Sequence, residues 1–266
     1  MAHRDELAGR PAAGTETAGT ERSRRELTAT AIRAAAADAG VALNRMAAEQ
    51  LEHYALRLLR ENEKYNLTAI TAPEEVLYKH FLDSLLPLAK FPPPEGASLL
   101  DVGTGAGFPG LVIAIARPDL RVTLLDSAGK KVRFLAETAC ELGVPARTLQ
   151  GRAEELARGE LRGRFDLVTA RAVAALPVLC EYCLPLVKPG GAFLALKGQQ
   201  GREELAQAAR AIALLGGETA EQTEIAEATL GENGCFGQRT LLLIRKISQT
   251  PTKYPRNGGL ITKKPL

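Results

Sequence analysis

An apolar strand that runs into an acid and then into closely spaced glycines, Leu99-Leu100-Asp101-Val102-Gly103-Thr104-Gly105-Ala106-Gly107-Phe108-Pro109-Gly110, is the segment best suited to hold a nucleotide-like ligand. Glycine allows backbone conformations closed to other residues and has no Cβ to keep a ligand off the turn, which makes Gly103, Gly105 and Gly107 candidate cofactor-binding residues. A carboxylate at Asp101 suits a ligand carrying the cationic ammonium of a methionine. It repels a pyrophosphate, which would need the following helix N-terminus left free. The chemistry therefore points to S-adenosylmethionine. Asp126 ends a second apolar stretch, Arg121-Val122-Thr123-Leu124-Leu125-Asp126, 25 residues after Asp101. An acid at that strand tip can accept both ribose hydroxyls, a role that calls for an adenosine without choosing between cofactors.

Two further strand ends could carry function. Gly151-Arg152-Ala153-Glu154-Glu155 follows the expected third strand, where a backbone amide and a carboxylate could read an adenine edge; the same acids also suit the first turn of a helix. The fourth strand, Phe165-Asp166-Leu167-Val168-Thr169-Ala170-Arg171-Ala172, lacks both the Asn/Asp-Pro-Pro-aromatic motif of amine methylation and the Pro-Cys pair of pyrimidine-C5 methylation. What remains is Arg171, a fork of donors suited to a phosphate, a carboxylate or the O6/N7 edge of guanine, or equally to a structural ion pair. Guanine N7 already offers a lone pair and loses no proton on methylation. A site without an obvious base or nucleophile is compatible with that reaction through positioning and electrostatics.

These residues need elements to hold them. The order predicted is helical over 31–39, 46–62 and 73–86, with Pro92-Pro93-Pro94 closing the helical part. Strands follow at 98–102, 121–125, 146–150, 165–169, 191–197, 218–225 and 238–245, with helices between the first five, the earliest at 111–116, and another at 203–215. Alternation of this kind gives a parallel, doubly wound sheet, and the short 231–237 loop makes the last two strands an antiparallel hairpin. The expected fold is thus α/β, a Rossmann-like seven-stranded class I methyltransferase preceded by a helical N-terminal region. The divisions expected are a disordered tail at 1–30, a helical accessory region at 31–94, the cofactor-binding domain at 95–247 and a basic tail at 248–266.

Composition, with 45% hydrophobic and 24% charged residues among 266, is that of a soluble globular protein, and no apolar run is long enough to span a membrane. Residues 1–30 lack the apolar stretch of a secretion signal, which with four irregularly placed cysteines points to the reducing cytoplasm. Cys180 and Cys183 have metal-ligand spacing but no second pair, so packing is expected of them and no metal. Net charge is +3, yet residues 245–266 hold six Lys or Arg and no acid. Lys253, Tyr254, Arg256, Lys263 and Lys264 could therefore grip RNA phosphates and stack on a base, or simply be solvated.

The chain resembles the bacterial small-subunit rRNA guanine-N7 methyltransferases, also called the glucose-inhibited division protein B family. The resemblance rests on Tyr65-Asn66-Leu67-Thr68-Ala69-Ile70-Thr71, His80-Phe81-Leu82-Asp83-Ser84-Leu85, the glycine loop, Leu124-Leu125-Asp126-Ser127 with Lys130-Lys131-Val132-Arg133-Phe134-Leu135, Ala170-Arg171-Ala172, Ala195-Leu196-Lys197-Gly198 and Lys253-Tyr254-Pro255-Arg256. It implies methylation at N7 of the guanine at nucleotide 527 in the decoding-region loop of 16S rRNA, with 16S rRNA or the small subunit as partner, no membrane and no obligate protein partner. It also implies cofactor contacts at Gly103, Phe108, Ala153, Glu154 and Arg171. His80 and Asp83, one helical turn apart, would face the site from the accessory helices; they and Arg171 are the candidates for positioning guanine N7, and Lys197 would meet the RNA. No catalytic base is assigned. The competing readings are a nicotinamide-dependent oxidoreductase, a non-catalytic RNA-binding module with a vestigial nucleotide fold, and a methyltransferase acting on a protein or small molecule.

Overall fold

Side-chain caps start the first two helices. Thr28 Oγ1 accepts the Ala31 N–H ahead of α1 (Ala29–Asp38), and Asn44 Oδ1 accepts the Ala47 N–H ahead of α2 (Arg45–Tyr65). The computed structural model describes residues 27–231 and 234–266, so most of the expected disordered tail lies outside the described residues. A third helix, α3, begins with Pro73–Glu75, widens to a π-helical stretch over Val76–Leu82 and returns to α-helix over Asp83–Lys90. It runs past the expected end at 86 because Pro87, inside its last segment, does not break it.

Beyond the proline run come β1 (Ser98–Val102), α4 (Gly110–Ala116), β2 (Arg121–Asp126), α5 (Gly129–Glu141), β3 (Ala146–Gln150), α6 (Ala153–Leu156), β4 (Phe165–Arg171), α7 (Leu176–Cys183), β5 (Val187–Lys197), α8 (Gly201–Leu214), β6 (Glu224–Thr229), β7 (Gln238–Arg245) and α9 (Gly258–Lys263). The seven strands form one sheet in the order β3-β2-β1-β4-β5-β7-β6, parallel through β5 and antiparallel for β7 and β6. Strand order reverses between β1 and β4, and the carboxyl ends at such a switch point are where open α/β sheets bind ligands.

Two strand boundaries are corrected. The fifth strand begins at Val187 rather than 191, since Val187 already pairs with Phe165 ahead of a register shift. The sixth strand occupies 224–229 rather than 218–225, because Thr229 pairs with Gln238 and carries the ladder up to the hairpin loop, while Ala220–Gln222 forms a 3₁₀ turn.

Helices α1–α3 have no separate core. Ile32, Leu51, Tyr54, Phe81 and Leu85 join Leu99, Leu111, Ile113 and Leu135 in one cluster on one side of the sheet. Cys180 and Cys183 are free, buried thiols in the cluster on the other side.

The start of the C-terminal segment is fixed by a buried lysine. Lys246, 2% exposed, donates from Nζ to Leu215 O and Thr250 Oγ1. Burial pulls its ammonium down to about 7, and Arg162 adds like-charge repulsion. The unfolded chain thus binds more protons between that value and 10.5, and stability is lost as pH falls through this window. Lys246→Met should stabilise the fold at pH 6 by about 1–3 kcal/mol, since the Leu215 carbonyl keeps the Thr250 hydroxyl as donor. Denaturant titrations should show the gain shrinking at pH 10; an equal effect at both pH values would refute the assignment.

Candidate active site

Two clefts open side by side at the carboxyl edge, and Ala172, just past β4, belongs to both. Ala172 has φ +54°, in the left-handed region that non-glycine residues seldom adopt, so the chain turns sharply where the clefts meet.

The first cleft, about 330 Å³, is lined by Gly103, Asp126, Gly151, Ala153, Glu154 and Tyr182, among others. Gly103 lies at φ +66°, and a Cβ there would come within 2.5 Å of Val173 Cγ2, so glycine is required. Asp126 is held by two backbone donors, the Gly105 N–H to Oδ2 at 2.9 Å and the Ala128 N–H to Oδ1 at 2.8 Å. Each oxygen retains a lone pair, which suits a vicinal diol. Ala153 and Glu154 open α6 and line the same cleft.

Asp101 departs from expectation. It is fully buried, its Oδ2 accepting the Gly110 N–H and its Oδ1 the Thr169 hydroxyl, both at 2.8 Å. Burial pushes its carboxyl up to about 6 against the pull of its two donors, the Thr169 hydroxyl and the Gly110 N–H. It is not among the residues lining either cleft. Its carboxylate instead occupies the start of α4, the place a dinucleotide pyrophosphate needs, so the same residue excludes that cofactor by a different route. Gly107, at φ +114°, also serves packing, since a Cβ would meet the Tyr54 hydroxyl at 2.6 Å.

The second cleft, about 380 Å³, brings together His80, Asp83, Arg171, Lys197, Glu204 and Arg239. Arg171 Nη1 donates to Lys79 O at 2.8 Å and to Asp83 Oδ2 at 2.7 Å, and Nη2 reaches His80 Nδ1 at 3.3 Å. Its guanidinium also lies 5.2 Å from the centroid of Phe108, which stacks on the His80 ring at 4.1 Å. Phe108 is therefore buried between the clefts' supports. Because an arginine can only donate, His80 Nδ1 is the acceptor and Nε2 carries the proton, given to Thr68 Oγ1 at 2.9 Å. Burial and the Arg171 charge pull the imidazole down to about 3, so it stays neutral.

Asp83 also accepts from Arg239 Nε on β7, at 2.9 Å. Lys197 pairs with Glu204 Oε2 at 2.7 Å and donates to Ala174 O. Thr68 stands in the resemblance segment without a role of its own, and Glu204 and Arg239 sit where the local pattern marks only a helix and a strand.

The C-terminal expectation is corrected in part. Tyr254 is packed in the second core cluster and Arg256 is paired with the fully buried Glu181 of α7, so neither faces an open surface for RNA. Lys253, Lys263 and Lys264 are exposed.

The family model for rRNA small subunit methyltransferase G (GidB) matches residues 47–231. A ribosomal RNA small subunit methyltransferase G of Lactobacillus delbrueckii subsp. bulgaricus is 50% identical over 222 residues, covering 82% of this chain and 91% of that protein. That of Pelotomaculum thermopropionicum is 44% identical over 237 residues, 88% and 97% of the two chains. Among solved structures, a Haloferax volcanii complex between the Trm112 methyltransferase activator and a methyltransferase matches at TM-score 0.50 and 16% identity, covering 73% of this chain and 98% of that one, a likeness of fold alone. The cofactor is S-adenosylmethionine, in keeping with the class, and with identities of this size over most of its length the chain belongs to the rRNA small subunit methyltransferase G family.

Proposed function

We propose that this enzyme methylates N7 of the guanine at nucleotide 527 in the decoding-region loop of 16S rRNA, acting in the cytoplasm on that RNA or on the small subunit. The observation that carries the reading is the pair of clefts joined at Ala172, the first suited to a nucleoside and the second held by ion pairs around a neutral histidine. When bound, S-adenosylmethionine supplies a methyl group activated by its sulfonium. Asp126 takes the ribose hydroxyls, Gly103 lets the ligand lie against the turn, and Ala153 and Glu154 meet the adenine. Arg171 joins the end of β4 to α3, fixing the second cleft relative to the first. His80 has no site free to take a proton, which agrees with a reaction at N7 that releases none. Lys253, Lys263 and Lys264 offer phosphate contacts at the periphery, and Lys197 stands in the substrate cleft beside Glu204.

Asp126→Ala should weaken S-adenosylmethionine binding about 10- to 100-fold by calorimetry, since it removes a charged acceptor from two hydroxyls. Unchanged affinity would remove Asp126 from the ribose site. The activity itself is tested by transfer from labelled S-adenosylmethionine to 30S subunits and to naked 16S rRNA lacking the modification. Mass spectrometry should find 7-methylguanosine at the expected nucleotide. Absence of transfer to both RNA forms, alongside measurable cofactor binding, would overturn the proposal.

A further inference from the structure

Selecting guanine poses a particular difficulty for an enzyme that alkylates N7. The common protein reading of guanine is an arginine or lysine fork on O6 and N7, and such a donor would occupy the lone pair that must attack the methyl group. The base must therefore be recognised through its other edge, where N1–H and the 2-amino group are donors. That edge calls for an acceptor.

Two carboxylates line the second cleft, Asp83 and Glu204. Asp83 has one oxygen on Arg171 and the other on Arg239, and its side chain is 4% exposed. Glu204 differs in both respects. Its Oε2 accepts the Leu176 N–H and pairs with Lys197, each at 2.7 Å, which fixes the side chain at the start of α7. Among the described residues no donor reaches Oε1, and the side chain is 20% exposed at the cleft.

Resting on the proposed guanine-N7 reaction, we infer that Glu204 is the specificity-determining residue of the substrate cleft, its Oε1 accepting from guanine N1–H and the 2-amino group so that N7 stays free for transfer. The same carboxylate faces an unprotonated N1 in adenine and repels it, which rejects the competing purine. Lys197 holds Glu204 in place as its counter-ion and is a positioning residue.

The test uses 16S rRNA carrying guanosine or inosine at the target nucleotide, built by splinted ligation and assembled into subunits. Inosine keeps N7 and N1–H and lacks only the 2-amino group. Wild-type enzyme should favour guanosine over inosine about tenfold or more in kcat/KM, and Glu204→Gln should reduce that preference to about threefold or less. Glutamine retains an oxygen for the Leu176 N–H, and thermal unfolding together with cofactor calorimetry should show the variant folded and loaded. A preference unchanged in a folded Glu204→Gln enzyme overturns the assignment, as does a wild type indifferent to inosine. A wild type that transfers no methyl to the guanosine substrate removes the underlying reaction instead, and this inference with it.

Discussion

Arg171→Ala is expected to lower kcat/KM for methyl transfer by about 10²- to 10³-fold, the largest loss of any single side-chain truncation in this site. The guanidinium reaches the Lys79 carbonyl, the Asp83 carboxylate, the His80 ring and the face of Phe108, and so fixes α3 against the carboxyl end of β4. That seam lies between the first cleft, proposed for the nucleoside, and the second, proposed for the substrate base. Truncation leaves Asp83 with Arg239 alone and leaves the paired rings of His80 and Phe108 without their cation. The in-line geometry of the reaction tolerates little displacement, so freedom at this seam is read out directly in rate. Arg171→Lys should recover part of the stability and little of the rate, because an ammonium cannot reproduce a planar fork spread over carbonyl, carboxylate and imidazole. Single-turnover kinetics on 30S subunits would check this. Wild-type kcat/KM in a folded Arg171→Ala variant would show that the guanidinium serves only as a structural tie.

The glycine loop and the β-α alternation were legible in sequence because both are local signals: spacing, strand-ending acids and a short hairpin loop suffice. Failures came where a side chain's partner is far along the chain. Asp101 has the right type and position for a ligand contact, yet it turns inward to Gly110 and Thr169, the latter 68 residues away. The edge strand β6, Glu224-Ile225-Ala226-Glu227-Ala228-Thr229, has no strong alternation, and only its register with β7 places it. Resemblance marks His80 and Asp83, but their meeting at Arg171 across 91 and 88 residues is a tertiary fact. Glu204 and Arg239 are harder still. A charge on an amphipathic helix or at the end of an edge-proximal strand reads as solvated until the fold turns it toward a cleft.

The same limit governs the C-terminal segment, where Arg256→Ala is expected to cost about 3–5 kcal/mol of stability. Glu181 is fully buried, and Arg256 supplies its backbone N–H at 2.7 Å, Nε at 2.9 Å and Nη2 at 2.6 Å. Removing the side chain strands a carboxylate with one backbone donor in an apolar helix packing layer. The consequence reaches the first cleft, proposed to take the cofactor, because the segment following Arg256 packs against its lining residue Glu154: an added Cβ at Gly258 would lie 2.3 Å from Glu154 Oε1. Release of the segment should therefore also weaken S-adenosylmethionine binding several-fold, an effect that a surface RNA contact would not have. Lys263→Ala and Lys264→Ala provide the contrast, with unchanged melting temperature, unchanged cofactor affinity and a shallower salt dependence of RNA binding. Chemical denaturation and calorimetry on the three variants separate the roles. If Arg256→Ala unfolds like wild type and loses only RNA affinity, the arginine grips RNA after all and its pairing with Glu181 carries no net stability.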